Sequence, residues 1–158
     1  NTALAYAKEG GSITILNPAP AQPLGENILR LCDFVTPNEI EAEQITGIPV
    51  KSVSDAEVAA DKLLEKGASA AVITLGEQGA LFKDSKQIIH QPSFQVGPIV
   101  ETTGAGDAFN GGLAVALAEE MPIDKALRFA CATASISVTR PGTAPSMPDR
   151  NEIDTLIT

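Results

Sequence analysis

The residues best suited to chemistry in this chain stand in one run, Thr102-Thr103-Gly104-Ala105-Gly106-Asp107-Ala108-Phe109-Asn110-Gly111-Gly112. A glycine-rich turn leads into an apolar segment, Ala108 to Leu117, whose composition favours helix, so free backbone N–H groups gather at a helix N-terminus. The summed peptide dipoles place partial positive charge there, and Gly104 and Gly106 carry no Cβ to keep an anion from the backbone. Asp107 falls in the first helical turn. A carboxylate in that field gains roughly 0.3–1 kcal/mol in its ionised form, so it can accept a proton at neutral pH. The same residues also suit an ordinary helix start, with Gly111 and Gly112 allowing close packing. Spacing excludes two familiar phosphate motifs. No Gly-Lys-Ser/Thr follows, as a P-loop needs, and Phe109 stands where a dinucleotide fingerprint has its last glycine.

The elements that must position this turn alternate between strand and helix. The chain opens without methionine in an expected helix, Thr2 to Glu9, closed by Gly10-Gly11, which implies sequence upstream. Ser12 to Leu16 reads as a buried strand running into the rigid loop Asn17-Pro18-Ala19-Pro20, and Gly25 to Leu31 as a short helix. Phe34-Val35 is a strand, after which Asn38 is placed to cap a helix from Glu39 to Thr46 that Gly47 closes. Ser54-Asp55-Ala56-Glu57 has capping-box spacing ahead of a helix with Ala56, Ala59, Ala60, Leu63 and Leu64 on one face, ending at Gly67. Ala70 to Leu75 is apolar apart from Thr74, as a strand at the centre of a parallel sheet requires. Beyond the glycine turn Gly76 to Gly79, Ala80 to Phe82 and Gln87 to His90 form an antiparallel hairpin. The central turn then opens a helix reaching Glu120. A small-residue helix runs from Ile123 to about Thr139, a Gly/Pro loop from Arg140 to Pro148, and Asp149 caps a last helix ending near Ile157. The order predicts an α/β protein, a three-layer α/β/α fold in a single domain. Its sheet is mostly parallel with an antiparallel edge hairpin, and a ligand lies at the carboxyl ends of the strands.

Composition narrows the partners. A net charge of −9 without a Lys/Arg cluster argues against nucleic acid or an anionic membrane as partner, so an anionic ligand must be held by backbone amides or metal. No apolar run reaches membrane-spanning length. Cys32 and Cys131 lie far apart inside apolar stretches and read as buried free thiols, which fits a reducing cytoplasm. The lone histidine, His90, is expected at the surface of the hairpin.

Several stretches together resemble the ribokinase-like (PfkB) carbohydrate kinases: Asn17-Pro-Ala-Pro, Thr36-Pro-Asn-Glu-Ile-Glu-Ala-Glu, Thr74-Leu-Gly-Glu-Gln-Gly and Glu101-Thr-Thr-Gly-Ala-Gly-Asp-Ala-Phe-Asn-Gly-Gly. The later Val138-Thr-Arg-Pro-Gly-Thr-Ala-Pro-Ser-Met-Pro favours the ribokinases within that family. The resemblance covers the C-terminal portion of the family pattern, without the N-terminal half and lid. It implies ATP-dependent, Mg²⁺-assisted phosphorylation of a small sugar, D-ribose at its 5-hydroxyl. By resemblance, Asp107 is the base and the amides of Gly104, Ala105, Gly106 and Asp107 form an anion hole. Asn38, Thr74, Leu75, Gly76, Glu77, Gln78, Gly79 and Cys131 contact nucleotide, and Glu41 holds Mg²⁺ through water. It further implies a K⁺ site, acting mostly through carbonyls, at Glu101, Thr103, Ser137, Arg140, Gly142 and Ser146. Glu101 departs from the family's usual aspartate by one methylene, and Cys131 stands where a histidine can lie along adenine. A homodimer paired through the lid is implied for the full-length protein. Two alternatives stay open: another sugar kinase such as a fructokinase, and, for this chain alone, nucleotide binding without sugar turnover.

Overall fold

The computed structural model describes residues 2–20, 22, 24 and 27–158. The elements in chain order are α1 (Thr2–Glu9), β1 (Ile15–Leu16), β2 (Phe34–Val35), α2 (Glu39–Thr46), α3 (Val53–Glu65), β3 (Ala70–Thr74), β4 (Ala80–Asp84), β5 (Ile88–Gln91), α4 (Ala105–Ala118), α5 (Ile123–Ser137) and α6 (Arg150–Ile157). The chain, expected to form one domain, gathers its contacts in two compact units, residues 1–76 with 81–90 and residues 77–80 with 91–158. Among the described residues no helix is long and apolar enough to cross a membrane.

The five strands lie side by side in the order β1-β2-β3-β4-β5, with β1, β2 and β3 parallel. The links from β3 to β4 and from β4 to β5 are far too short for a parallel crossover, so both pairs are antiparallel. The sheet is therefore mixed, with β3 at its centre. Burial of Ala70, Ala71, Val72 and Ile73 matches the continuous apolar run of a strand covered on both faces. Against this sheet Ala56, Ala59, Ala60 and Leu63 of α3 are fully buried together with Val35, Ala42 and Ile73.

Local differences from expectation have identifiable causes. β1 holds only Ile15 and Leu16, because the N–H of Thr14 is taken by the Asp33 carboxylate at 2.9 Å instead of a neighbouring strand. The expected helix from Gly25 is a 3-10 turn, Leu29–Leu31; Gly25 and Glu26 lie outside the described residues. Ser52, not Ser54, caps α3. Its hydroxyl accepts the Asp55 N–H at 3.1 Å and donates to the Asp55 carboxylate, which also takes the Lys51 N–H, so the earlier register gains the reciprocal bonds. The turn at Gly76–Gln78 is a 3-10 turn, and β4 runs on through Lys83 and Asp84, where Lys83 pairs with Glu57 and Asp61 of α3. Both cysteines are free and buried, and burial pushes their thiols up to about 11 for Cys32 and about 12 for Cys131. His90 is exposed on β5.

In the second unit α4 packs on α5 at small residues. A Cβ on Gly112 would lie 2.7 Å from Thr133 Oγ1 and 3.1 Å from the Ala130 Cα, so the two backbones approach only because position 112 has no side chain. Gly111, one residue earlier, has open space at the same place. Gly112→Ala should therefore lower stability by roughly 1–3 kcal/mol through overpacking. Gly111→Ala should raise it by about 0.5–1 kcal/mol through helix propensity. Urea unfolding of the two variants measures both, and shifts of the same sign would contradict this packing.

Candidate functional site

In the first unit the expected nucleotide residues gather at the carboxyl ends of β2 and β3. Asn38 caps α2: its side-chain oxygen accepts the Glu41 N–H at 2.9 Å, and Glu41 Oε2 accepts the Asn38 N–H at 2.9 Å. The sequence predicts the cap; the structure adds that Glu41 completes a reciprocal box and is 7% exposed, which excludes a solvated face for it. A parallel bridge joins Asn38 to Thr74, whose N–H donates to the Pro37 carbonyl at 3.0 Å. Leu75 is buried, and Gly76 has a positive φ with Glu39 Oε1 3.8 Å from where a Cβ would stand.

Among the described residues no three His, Cys, Asp or Glu side chains cluster as a metal site. The first unit therefore offers no protein cage for Mg²⁺. It offers isolated carboxylates in the first turn of α2, Glu41 and Glu39, which fits an ion that keeps most of its waters and takes the rest of its ligands from phosphate.

The second unit carries the glycine turn. Gly104 takes φ +84° and starts α4 as its N-cap, so the helix begins at Ala105 with Asp107 in its first turn, as expected. Ala105 and Gly106, expected in the glycine turn, are thus themselves the first helical residues. The Ala105 N–H donates to the Thr102 carbonyl at 3.1 Å, which withdraws it from the expected four-amide anion hole. The N–H groups of Gly106 and Asp107 have no helical carbonyl four residues back to take them. Nothing stands within 4 Å of where a Gly106 Cβ would be, so an anion can approach the backbone there. The Asp107 side chain is exposed in the same turn. Asn110, one turn on, donates to the Gly106 carbonyl at 2.8 Å and fixes the far side of that peptide. Asp107 also edges a cavity of about 350 Å³ whose walls, Ala108, Val115, Phe129, Met147 and Ile153 among them, are mainly apolar.

The remaining predicted residues lie elsewhere in the second unit. In the Glu77–Gly79 segment, the Glu77 carbonyl accepts the Ser93 hydroxyl at 2.6 Å, and Gly79 packs directly beneath the backbone of Gln91 to Ser93 with no room for a Cβ. Gly79 is therefore needed for packing, beyond any approach to nucleotide. Cys131 is 3% exposed and its thiol points at the Gln91 carbonyl, 3.8 Å away.

The residues expected around K⁺ lie on and beside the loop after α5, and their side chains are engaged in local bonds. Glu101 Oε2 accepts the Gly142 N–H at 2.7 Å, and this bond together with one from the Thr103 hydroxyl holds the Glu101 carboxyl below its usual range. Ser137 and Ser146 donate to the carbonyls of Ala134 and Thr143, each at 2.7 to 2.8 Å. Arg140 forms a two-pronged pair with Glu152, whose carboxylate also accepts the Asp149 N–H in the capping box of α6. The Glu152 tie was missed in the sequence, although Asp149-x-x-Glu152 shows the box spacing.

A parallel-centred sheet with polar groups at its strand ends, and a helix N-terminus carrying open amides and a carboxylate, are the features of the α/β proteins that bind phosphorylated ligands. Residues 1–150 match the model of the pfkB family carbohydrate kinases, and the chain belongs to that family. It is 45% identical over 148 residues to a ribokinase of Haemophilus influenzae, covering 92% of this chain and 47% of the relative. It is 40% identical over 147 residues to a deoxyribokinase of Salmonella typhi, covering 92% and 48%. Its structure superimposes on Arabidopsis thaliana ribokinase complexed with ribose and ATP with a TM-score of 0.93 at 32% identity, over 98% of this chain and 50% of that one. The chain spans about half the length of the relatives it matches.

The Arg140 guanidinium, with the Asp149 N–H, holds the Glu152 carboxyl below its ordinary 4.5. A depressed folded value means that its stabilisation is complete above pH 4.5 and is lost as pH falls through the lowered value. Glu152→Gln should therefore lower stability near neutrality and flatten the loss on acidification below about pH 5. Denaturant midpoints across that range check it; an unchanged acid limb would show that the pair contributes nothing.

Proposed function

We propose that this chain supplies the phosphate-handling part of an ATP-dependent sugar kinase that phosphorylates the 5-hydroxyl of D-ribose. The observation that carries the reading is the start of α4, where Gly104 aims the N–H groups of Gly106 and Asp107 out of the helix end beside the Asp107 carboxylate. Phosphoryl transfer passes through a loose transition state, so catalysis is mostly placement and neutralisation of charge. The sugar oxygen attacks the γ-phosphorus while its proton passes to Asp107, and the bond from phosphorus to the β–γ bridging oxygen breaks to release ADP. The two amides receive charge as it grows on the transferring group. A carboxylate suffices as base, because the hydroxyl loses its proton as the new bond forms.

Asn38, Thr74, Leu75, Gly76, Glu77, Gln78 and Gly79 are assigned to ATP in this reading, Asn38 and Thr74 through the strand-end bridge that fixes them. Glu41 would hold a water of Mg²⁺, and the ion would neutralise phosphate oxygens. Cys131, being buried, would make no contact with nucleotide of its own. Potassium enters only through carbonyls of Glu101, Thr103, Ser137, Arg140, Gly142 and Ser146, where it would stiffen the loop and not touch phosphate.

A second reading, 2-deoxyribose as substrate, is supported by the similarity to the Salmonella deoxyribokinase. Ribose and deoxyribose present the same 5-hydroxyl, so the residues above serve either. Coupled measurement of ADP release with ribose, deoxyribose and fructose, in the whole protein, separates these readings. Asp107→Asn should lower kcat by at least about a hundredfold with nucleotide affinity nearly unchanged. Near-normal kcat would remove Asp107 from the mechanism. The 158-residue chain alone should bind ATP analogues in calorimetry yet phosphorylate no sugar, because holding the hydroxyl near phosphorus and excluding water are worth several kcal/mol, about 7 or more. Ribose turnover by this chain at the rate of a full-length relative would overturn that expectation.

A further inference from the structure

Glu101 stands just before the anion-receiving turn and touches both the turn and the loop after α5. Its Oε2 accepts the Gly142 N–H at 2.7 Å, and the nearby Thr103 hydroxyl helps hold its carboxyl below the usual range. Next to Gly142, Thr143 lies directly on Gly104: a Cβ there would be 3.1 Å from Thr143 Cγ2 and 3.3 Å from its Cβ. The backbone at 100 and 101 is itself fixed, since both N–H groups donate to the Val138 carbonyl, at 2.8 and 3.2 Å. On its other side the loop is held to α6 by Arg140 and Glu152. Loop and turn therefore meet at a carboxylate bridge and a van der Waals seat, and the residue seated is the one whose left-handed backbone begins α4.

We propose that Glu101 is a positioning residue: its carboxylate latches the 139–146 loop onto the Gly104 turn and so sets the direction of the Gly106 and Asp107 amides and of the Asp107 side chain. The latch is built from protein donors, so it holds the turn with or without a monovalent cation. The length of the side chain matters. An aspartate would place its carboxylate about 1.5 Å shorter of the Gly142 N–H, beyond hydrogen-bond reach. Misplacement of a reacting group by about 1 Å costs up to about a hundredfold in rate, so loss of the latch should appear in kcat and not in nucleotide affinity.

The inference rests on the proposed anion-receiving role of the turn, and hydrogen exchange separates the two because it reads the latch without any activity. In the whole protein, in tetramethylammonium buffer, Glu101→Ala should speed exchange of the Gly142 amide at least about tenfold. Glu101→Gln, which keeps one acceptor oxygen, should stay near the parent. The same Glu101→Ala variant should lose about tenfold to a hundredfold in kcat with KM for ATP within about threefold, and Glu101→Gln should recover most of the loss. Should Glu101→Ala fail to fold, Glu101→Asp, too short to reach, takes its place. Unchanged Gly142 exchange would overturn the latch. Faster exchange with unchanged kcat in an active kinase would overturn its positioning role. Parent exchange that slows only when K⁺ is added would give the holding role to the ion instead. An inactive parent with a latch that behaves as described would count against the kinase reading alone.

Discussion

The left-handed backbone of Gly104 is the constraint on which the site depends. With φ at +84° the chain turns sharply enough that the next residue is already helical, and α4 therefore ends in N–H groups without carbonyls to receive them. Any side chain at 104 would be strained by that conformation and would press on Thr143. Both demands select glycine, and together they start the helix at Ala105 with Asp107 in its first turn. The carboxylate and the open amides are consequently held by the helix itself, so that in the proposed reading neighbouring groups would serve as base and anion donor.

Charge explains why such a device is needed. The chain carries 20 acidic against 11 basic residues, and several of the basic ones are engaged: Lys83 with Glu57 and Asp61, Arg140 with Glu152, Arg150 with Glu119 and Asp154. An anion approaching the chain meets a net charge of −9. Backbone amides at a helix start supply positive potential without a side chain whose own charge must be desolvated. In the proposed reading the same logic would suit Mg²⁺, which would bring charge with the nucleotide and ask of the protein a carboxylate such as Glu41.

Much of this was readable in the residues. The Asn38 cap, the Gly47 stop, the buried run at β3, the two free thiols and the helix start at 104–107 each follow from local chemistry: a side-chain oxygen, a residue without Cβ, an unbroken apolar stretch. What was not readable needed a choice between neighbours or a partner distant in sequence. Ser52 and Ser54 both precede a residue able to cap back, and only the bond from Lys51 decides between them. Burial of Glu41 follows from the fold around α2, and periodicity places it no better than Glu39 or Glu43. The bond from Gly142 to Glu101 spans 41 positions, so the extra methylene of Glu101 looked like a departure from a cation site until its reach was seen.

Relatives named for ribose and for deoxyribose are 45% and 40% identical to the chain over nearly the same span. Those sugars differ at the 2-position and share the hydroxyl that would be phosphorylated. Discrimination between them requires a polar group that is satisfied by one sugar and left unpaired by the other, which is a property of the pocket around the 2-carbon. The groups proposed to act on phosphate, metal and proton would meet the same atoms in either substrate. In that reading a half-length chain can resemble both kinds of relative, because the proposed chemistry does not involve the 2-position.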